Sequence, residues 1–312
     1  AFMTGIPVIN VNNNCSSGST AIFMARQAVQ SGAVECALAF GFEEMQPGAL
    51  GSHWDDRESP FENFFRVLDQ NNYPEAPLAL RCFGAAGHHY MEKYGASADL
   101  FAKVAVKTRN HAAVNPFALF TSELTVEEVM ASPVLYMDYL TRLMCCPPTC
   151  GAGAAVICSD SFASRHGIST GVEIVSQAMA TDTPATWDDP INLVGADMTR
   201  RAAQLVYEQA GIGVEEVDVV ELHDCFTTNE VITYEGLGLC AEGEATAFVD
   251  AGDNTYGGKY VVNPSGGLMS KGHPIGATGL AQCYELVNQL RGNAGQRQVP
   301  GARIGLQHNL GL

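Results

Sequence analysis

Residues 6–42 read IPVINVNNNCSSGSTAIFMARQAVQSGAVECALAFGF, and their order of elements decides the fold. The β-branched run at 6–11 predicts a short strand, and the polar turn NNNCSSGS follows it directly. From Thr20 to Ser31 apolar residues cover most sides of a helical repeat (Ala21, Ile22, Phe23, Met24, Ala25, Ala28, Val29), which predicts a buried helix closed by Gly32. Residues 35–42, ECALAFGF, read as a second buried strand. Strand, polar turn, helix and strand form the unit of α/β folds, which place ligand sites beyond the carboxyl ends of their strands.

Working outward, residues 45–81 are rich in Gly, Pro, Asp and Asn and read as loop. Helices are predicted at 83–94, ended by Gly95, and at 98–113, with Ser97 at the N-cap. Thr125 and Glu128 have capping-box spacing ahead of another short helix. A buried strand at 153–158 (GAAVIC) returns the chain to the first core, so residues 46–145 read as an insertion between neighbouring strands. The expected division is therefore 1–45 with 146–168, the inserted 46–145, and 169–312. This last part has strand 217–222, the turn HDCF and a helix at 229–237, then strand 259–263, a Gly-rich turn, helix 277–291 and strand 303–307. It echoes the opening unit as a weak internal duplication, and two such halves would bring their turns together across a pseudo-twofold axis.

A chain of 312 residues, 46% of them hydrophobic, supports a substantial core. Seventeen Lys plus Arg against thirty-four Asp plus Glu leave a net charge of −17, which argues against nucleic-acid and anionic-membrane surfaces. No apolar run approaches the roughly 20 residues that span a bilayer. The ten cysteines lack the paired spacing of a disulfide scaffold, which favours a reducing compartment. Cys145, Cys146 and Cys150 cluster, but no second Cys or His pair stands at zinc-ligand spacing, so packing is the expected role and no metal is expected. The chain opens at Ala1 just before its first strand, and both ends read as truncated.

Three turns carry residues suited to chemistry. Cys15 stands at the mouth of the first helix, where partial positive charge and free backbone N–H groups favour a thiolate, and Ser16, Ser17 and Gly18 leave room for a substrate. By position alone a buried structural Cys is an equal reading. His223 and Cys225 share the turn ELHDCF after a buried strand, a weak signal on its own. His273 lies in KGHPIGATG, stiffened by Pro274 and opened by glycines; Lys271 is followed by Gly and His, so this is not a Walker phosphate loop.

Together, NNNCSSGS, ELHDCF, NPSGGLMSKGHPIGATG and LQHNLGL resemble the thiolase superfamily, specifically the sterol carrier protein X branch and its bacterial relatives. The likeness continues between them, in GDNTYGGKYVVNPSGG and RGNAGQRQVPGARIGLQHN. The resemblance implies a five-layered α/β/α/β/α fold, an inserted loop domain contributing to the coenzyme A site, and a homodimer. It implies no resident cofactor, acyl-CoA and coenzyme A as substrates, and a small partner chain in some bacterial relatives. The setting it implies is peroxisomal in a eukaryote and cytosolic in a bacterium.

By the same resemblance Cys15 matches the acylated nucleophile and His273 the histidine that takes its proton. His223 stands where most thiolases carry an oxyanion-hole Asn, and Asn309, Leu310 and Gly311 form a supporting turn. Gly267 falls in the substrate-binding segment. Most thiolases have a second catalytic Cys where this chain has His308, Asn309 and Leu310, so the acid/base role passes to Cys225, with a thiol expected near neutrality. Competing readings are a β-ketoacyl synthase, which would use Cys15, His223 and His273 but not Cys225, a steroid side-chain retro-aldolase working with a partner chain, and a noncatalytic CoA- or lipid-binding protein.

Overall fold

A computed structural model describes residues 3–49, 51, 56–169 and 171–311. In chain order its elements are α1 (Ser17–Gln30), β1 (Cys36–Glu43), α2 (Glu62–Gln70), α3 (Leu78–Tyr94), α4 (Ala98–Ala112), α5 (Val126–Ala131), β2 (Val134–Tyr136), β3 (Leu140–Thr141) and β4 (Gly151–Cys158). They continue with α6 (Asp160–His166), α7 (Pro190–Leu193), α8 (Ala196–Ala210), β5 (Val219–Glu221), α9 (Thr227–Gly236), α10 (Ala245–Asp250), β6 (Val261–Val262), α11 (Thr278–Leu290) and β7 (Gly305–Gln307).

Strands β1 and β4 pair antiparallel, from Cys36 opposite Cys158 to Glu43 opposite Gly151. Their inward positions are small: Ala39 faces Ala155 and Gly41 faces Gly153. That flat surface lets α1 and α11 lie close, and Ile22, Ala25, Ala39 and Leu280 form a compact core there. The second sheet is parallel, with β5 at its centre between β6 and β7. Helix α11 touches both sheets and α1 packs on α11, so the two helices form the layer between the sheets. The main core gathers α3, α4 and α9 around Phe101, Tyr90, Leu140 and Tyr234.

Four expectations are corrected. Residues 6–11 form no strand and pair with none among the described residues, and Ile6, Val8 and Ile9 are exposed; a β-branched run becomes a strand only with a ladder to join. Strand β1 is not buried on both faces, because Leu38, Phe40 and Phe42 point outward and are 47–65% exposed. Its large and small apolar residues alternate, a period that hydrophobicity alone conceals. Within the supposed loop 45–81, α2 forms because Phe64, Val67 and Leu68 bury one helical face, and α3 begins at Leu78, earlier than expected. Helix α11 and the helix after HDCF lie where expected, as does the Thr125–Glu128 capping box, which makes both of its hydrogen bonds.

A seam of glycines locks the first unit to the last. A Cβ on Gly41 would overlap the carbonyl of Gly276, one on Gly276 would overlap the carbonyl of Phe42, and one on Gly279 would overlap Ser19. Backbone meets backbone there because nothing larger fits. The Glu43 carboxylate accepts from the Gly276 amide at 3.1 Å and closes the same junction.

Candidate active site

The carboxyl ends of β5, β6 and β7 lie at one edge of the parallel sheet, and the three turns that leave them carry His223, His273 and Asn309. Cys15 reaches this edge from the mouth of α1. It follows Asn14, whose φ of 46° is left-handed, a conformation Asn tolerates better than most residues. The Ser16 hydroxyl donates to the Asn13 carbonyl at 2.8 Å and makes no cap on α1, so the helix presents an uncapped amino end beside the thiol. Gly311 backs this turn so closely that a Cβ on it would overlap the Asn13 carbonyl and Ser16 Oγ. Leu310 is buried beside it against Gly195.

Cys15 Sγ and one ring nitrogen each of His223 and His273 lie within 4.8 Å of one another. The imidazoles meet edge to face, with centroids 5.1 Å apart. Such a set has the donor types that could also ligate a thiophilic divalent ion. His273 Nδ1 is 2.6 Å from Thr278 Oγ1, and the Thr278 hydroxyl donates its single proton to the Pro274 carbonyl at 3.0 Å. Thr278 therefore accepts from His273 Nδ1–H, and Nε2 keeps its lone pair. That Nε2 is buried without a protein hydrogen-bond partner, as a base awaiting a proton should be. The His273 amide donates to Thr149 Oγ1 at 3.1 Å, which fixes the turn from the other side.

His223 is buried, its carbonyl accepts from the Asn229 side chain, and its Nδ1 lies 2.6 Å from Asn309 Nδ2. His308 turns aside to Thr199 Oγ1, 3.0 Å away. Cys225 is buried in the same turn. Asp224 points back and accepts from the Leu268 amide at 2.7 Å, and Gly267 packs on it so tightly that a Cβ would overlap the carboxylate.

Burial sets the resting protonation states. It pushes Cys15 up to about 11, outweighing a backbone hydrogen bond that lowers it, while Glu43 raises it further. The expected resting thiolate is thereby corrected to a thiol: desolvation of the anion exceeds what the helix end supplies. Burial, then the neighbouring Cys146 and Cys15, raise Cys225 well above its ordinary value, which corrects the expectation of a thiol near neutrality. Burial and Lys271 lower His273 to about 3, and burial, with His273 and His308, lowers His223 well below its ordinary value. At neutral pH the two thiols and two imidazoles are uncharged.

The cysteine cluster that sequence assigned to packing braces this site. The Cys146 amide donates to the Cys225 carbonyl at 2.9 Å, Cys145 bridges Phe226, and Pro148 bridges His273. Sequence reasoning also missed Thr278, although it lies inside GHPIGATG, and Ser19, Gln282 and Gln307, whose contacts span long sequence separations without a local signal.

Fold and site define an α/β protein with a half-buried cysteine flanked by two buried histidines. The chain matches "Thiolase, N-terminal domain" over residues 1–132 and "Thiolase C-terminal domain-like" over residues 167–312. It is 54% identical to sterol carrier protein 2 of Rattus norvegicus, over 99% of this chain and 57% of the relative, so it spans just over half the length of that protein. It is 37% identical to the benzoylsuccinyl-CoA thiolase subunit BbsB of Thauera aromatica, over 98% of this chain and 77% of the relative. Among solved structures, the Ltp2-ChsH2(DUF35) aldolase superposes with a TM-score of 0.77 at 24% identity, over 93% of this chain and 73% of the other. Human mitochondrial 3-ketoacyl-CoA thiolase in complex with CoA superposes with a TM-score of 0.67 at 18% identity, over 98% and 77%. The chain belongs to the thiolase family and has its five-layered α/β fold. Among the described residues no helix is long and apolar enough to cross a membrane.

Proposed function

We propose that the protein is a 3-oxoacyl-CoA thiolase, an acyltransferase that cleaves the C2–C3 bond of its substrate with coenzyme A. The observation that carries this reading is the convergence of Cys15, His223 and His273 within 4.8 Å, with His273 Nε2 unpartnered. As substrate docks, His273 Nε2 takes the Cys15 proton while sulfur attacks the 3-keto carbon, so no resting thiolate is needed. His223 and backbone amides near Cys15 stabilise the oxyanion, with the Asn309–Gly311 turn in support. The C2–C3 bond breaks, and Cys225 protonates the departing enolate.

The raised resting pKa of Cys225 favours the second half of the cycle, and in the first the far more basic enolate still draws the proton from this thiol. The thiolate it becomes is a strong base and removes the proton from incoming coenzyme A. The CoA thiolate then attacks acyl-Cys15, and the departing Cys15 sulfur recovers its proton from His273. The cycle closes with all four groups neutral.

The finer reading includes 2-methyl-branched or sterol-derived acyl chains and a homodimer. Residues 46–145 would form a loop domain contributing to the CoA site, with Gly267 in the substrate-binding segment, between an amino-terminal half of 1–45 and 146–168 and a carboxyl-terminal half of 169–312. A small partner chain, as in the aldolase complex, and a peroxisomal or, in bacteria, cytosolic setting complete it. The test is intact-protein mass spectrometry with peptide mapping after mixing with a 3-oxoacyl-CoA and no free coenzyme A. An acyl group on Cys15 that disappears on adding coenzyme A is expected, and it should be absent in Cys15→Ala. A folded protein without adduct would favour an aldolase-type or binding role instead.

A further inference from the structure

Behind His223 runs a chain of side-chain hydrogen bonds whose direction is fixed at its far end. Gln282 Nε2 lies 3.0 Å from the carbonyl of His308, an acceptor that cannot become a donor. The Gln282 amide is thus oriented with Oε1 on the other side, 2.7 Å from Gln307 Nε2. Gln307 Nε2 also donates to Ser19 Oγ at 3.0 Å. Ser19 Oγ, already accepting, lies 2.8 Å from Asn309 Oδ1 and donates its own proton there. The Asn309 amide must then present Nδ2, a donor, to His223 Nδ1 at 2.6 Å. With Asn309 reversed, Ser19 would accept from two amides and its own proton would have no acceptor.

We infer that Asn309, oriented through Ser19, Gln307 and Gln282, is a positioning residue that holds neutral His223 in the tautomer with its proton on Nε2. Resting His223 is then a hydrogen-bond donor at Nε2, while resting His273, wired to Thr278, is an acceptor at Nε2 until it takes the Cys15 proton. Two imidazoles 5.1 Å apart are kept from exchanging roles by two unrelated anchors. The catalytic value of this arrangement rests on the thiolase reading; the tautomer itself does not.

Two-bond ¹H–¹⁵N correlation NMR on histidine-¹⁵N-labelled protein reads the tautomer, with His223→Gln supplying the assignment. In the parent, His223 should show a protonated Nε2 and a bare Nδ1; the reverse pattern overturns the inference. Asn309→Asp, which can only accept at that position, should move the proton to Nδ1 and lower kcat for thiolysis by about a hundredfold, the scale of one lost oxyanion donor, with little change in KM. Ser19→Ala, which releases the Asn309 amide, should give mixed tautomers and a smaller loss. Retention of Nε2–H in Asn309→Asp, with folding verified by its melting curve, also overturns the inference. A proton that moves without loss of kcat would overturn the catalytic role. If Cys15 is never acylated, the thiolase reading fails while the tautomer result stands, so the two failures are distinguishable.

Discussion

His273 and His223 are alike in residue type, burial and uncharged resting state, and they differ in what their Nδ1 atoms meet. One meets a hydroxyl oxygen whose proton is already engaged, the other an amide that donates. The same ring becomes a base in one place and a donor in the other. Burial makes both histidines neutral, and wiring decides what each neutral ring does.

Removing each ring should separate these roles. His273→Ala should slow acylation of Cys15 by on the order of 10³-fold, because the sulfur loses the base that takes its proton, whereas His223→Ala should cost about 10²-fold. Single-turnover mass spectrometry of the acyl enzyme measures both, and equal losses would erase the distinction. Thr278→Val, which removes the acceptor of His273 Nδ1–H, should lower kcat by about tenfold, the worth of one hydrogen bond in tautomer preference. An unchanged rate would show that the ring is held by other means.

The resting charge state gives a pH test. Because burial raises the Cys15 thiol to about 11, its alkylation by iodoacetamide should keep rising about tenfold per pH unit from 7 to 10. A rate already independent of pH from 7 upward, read by peptide mapping with exposed Cys150 as the internal control, would restore the resting thiolate.

A further expected effect is on stability. The folded pKa of His273 lies at about 3, below its ordinary 6.5, so its contribution is fully present above pH 6.5 and is lost as pH falls toward 3. Between those values the parent should lose up to about 1.4 kcal/mol per pH unit more than His273→Gln. Glu221 and Asp224, both raised by burial, oppose this in both proteins, and the difference between the two unfolding curves removes them. Parallel curves would mean that His273 is not held neutral.

Against this site, the sequence disclosed residue types far better than their states. Cys15, His223, Cys225 and His273 were legible because each sits in a short motif at the end of a strand or the start of a helix. Their pKa values were not, because a helix end is visible in sequence and the depth of burial is not. Asn309 was legible as part of a turn, yet its partner Ser19 lies 290 residues away and carries no local mark. The strand-and-helix order of the second half survived because its strands are paired in one parallel sheet. The run at 6–11 did not, since its pattern was sound but no described strand lies beside it.

The glycine seam has a consequence for synthesis. The amide of Gly276 closes on Glu43 across a separation of 233 residues, so this junction cannot form until long after Cys15 has been made. Local units fold as they emerge, but such a long-range contact waits for its second partner. A growing chain therefore carries Cys15 without His273 until everything between the two has been made, and the thiol gains its base only once the turn after β6 has emerged.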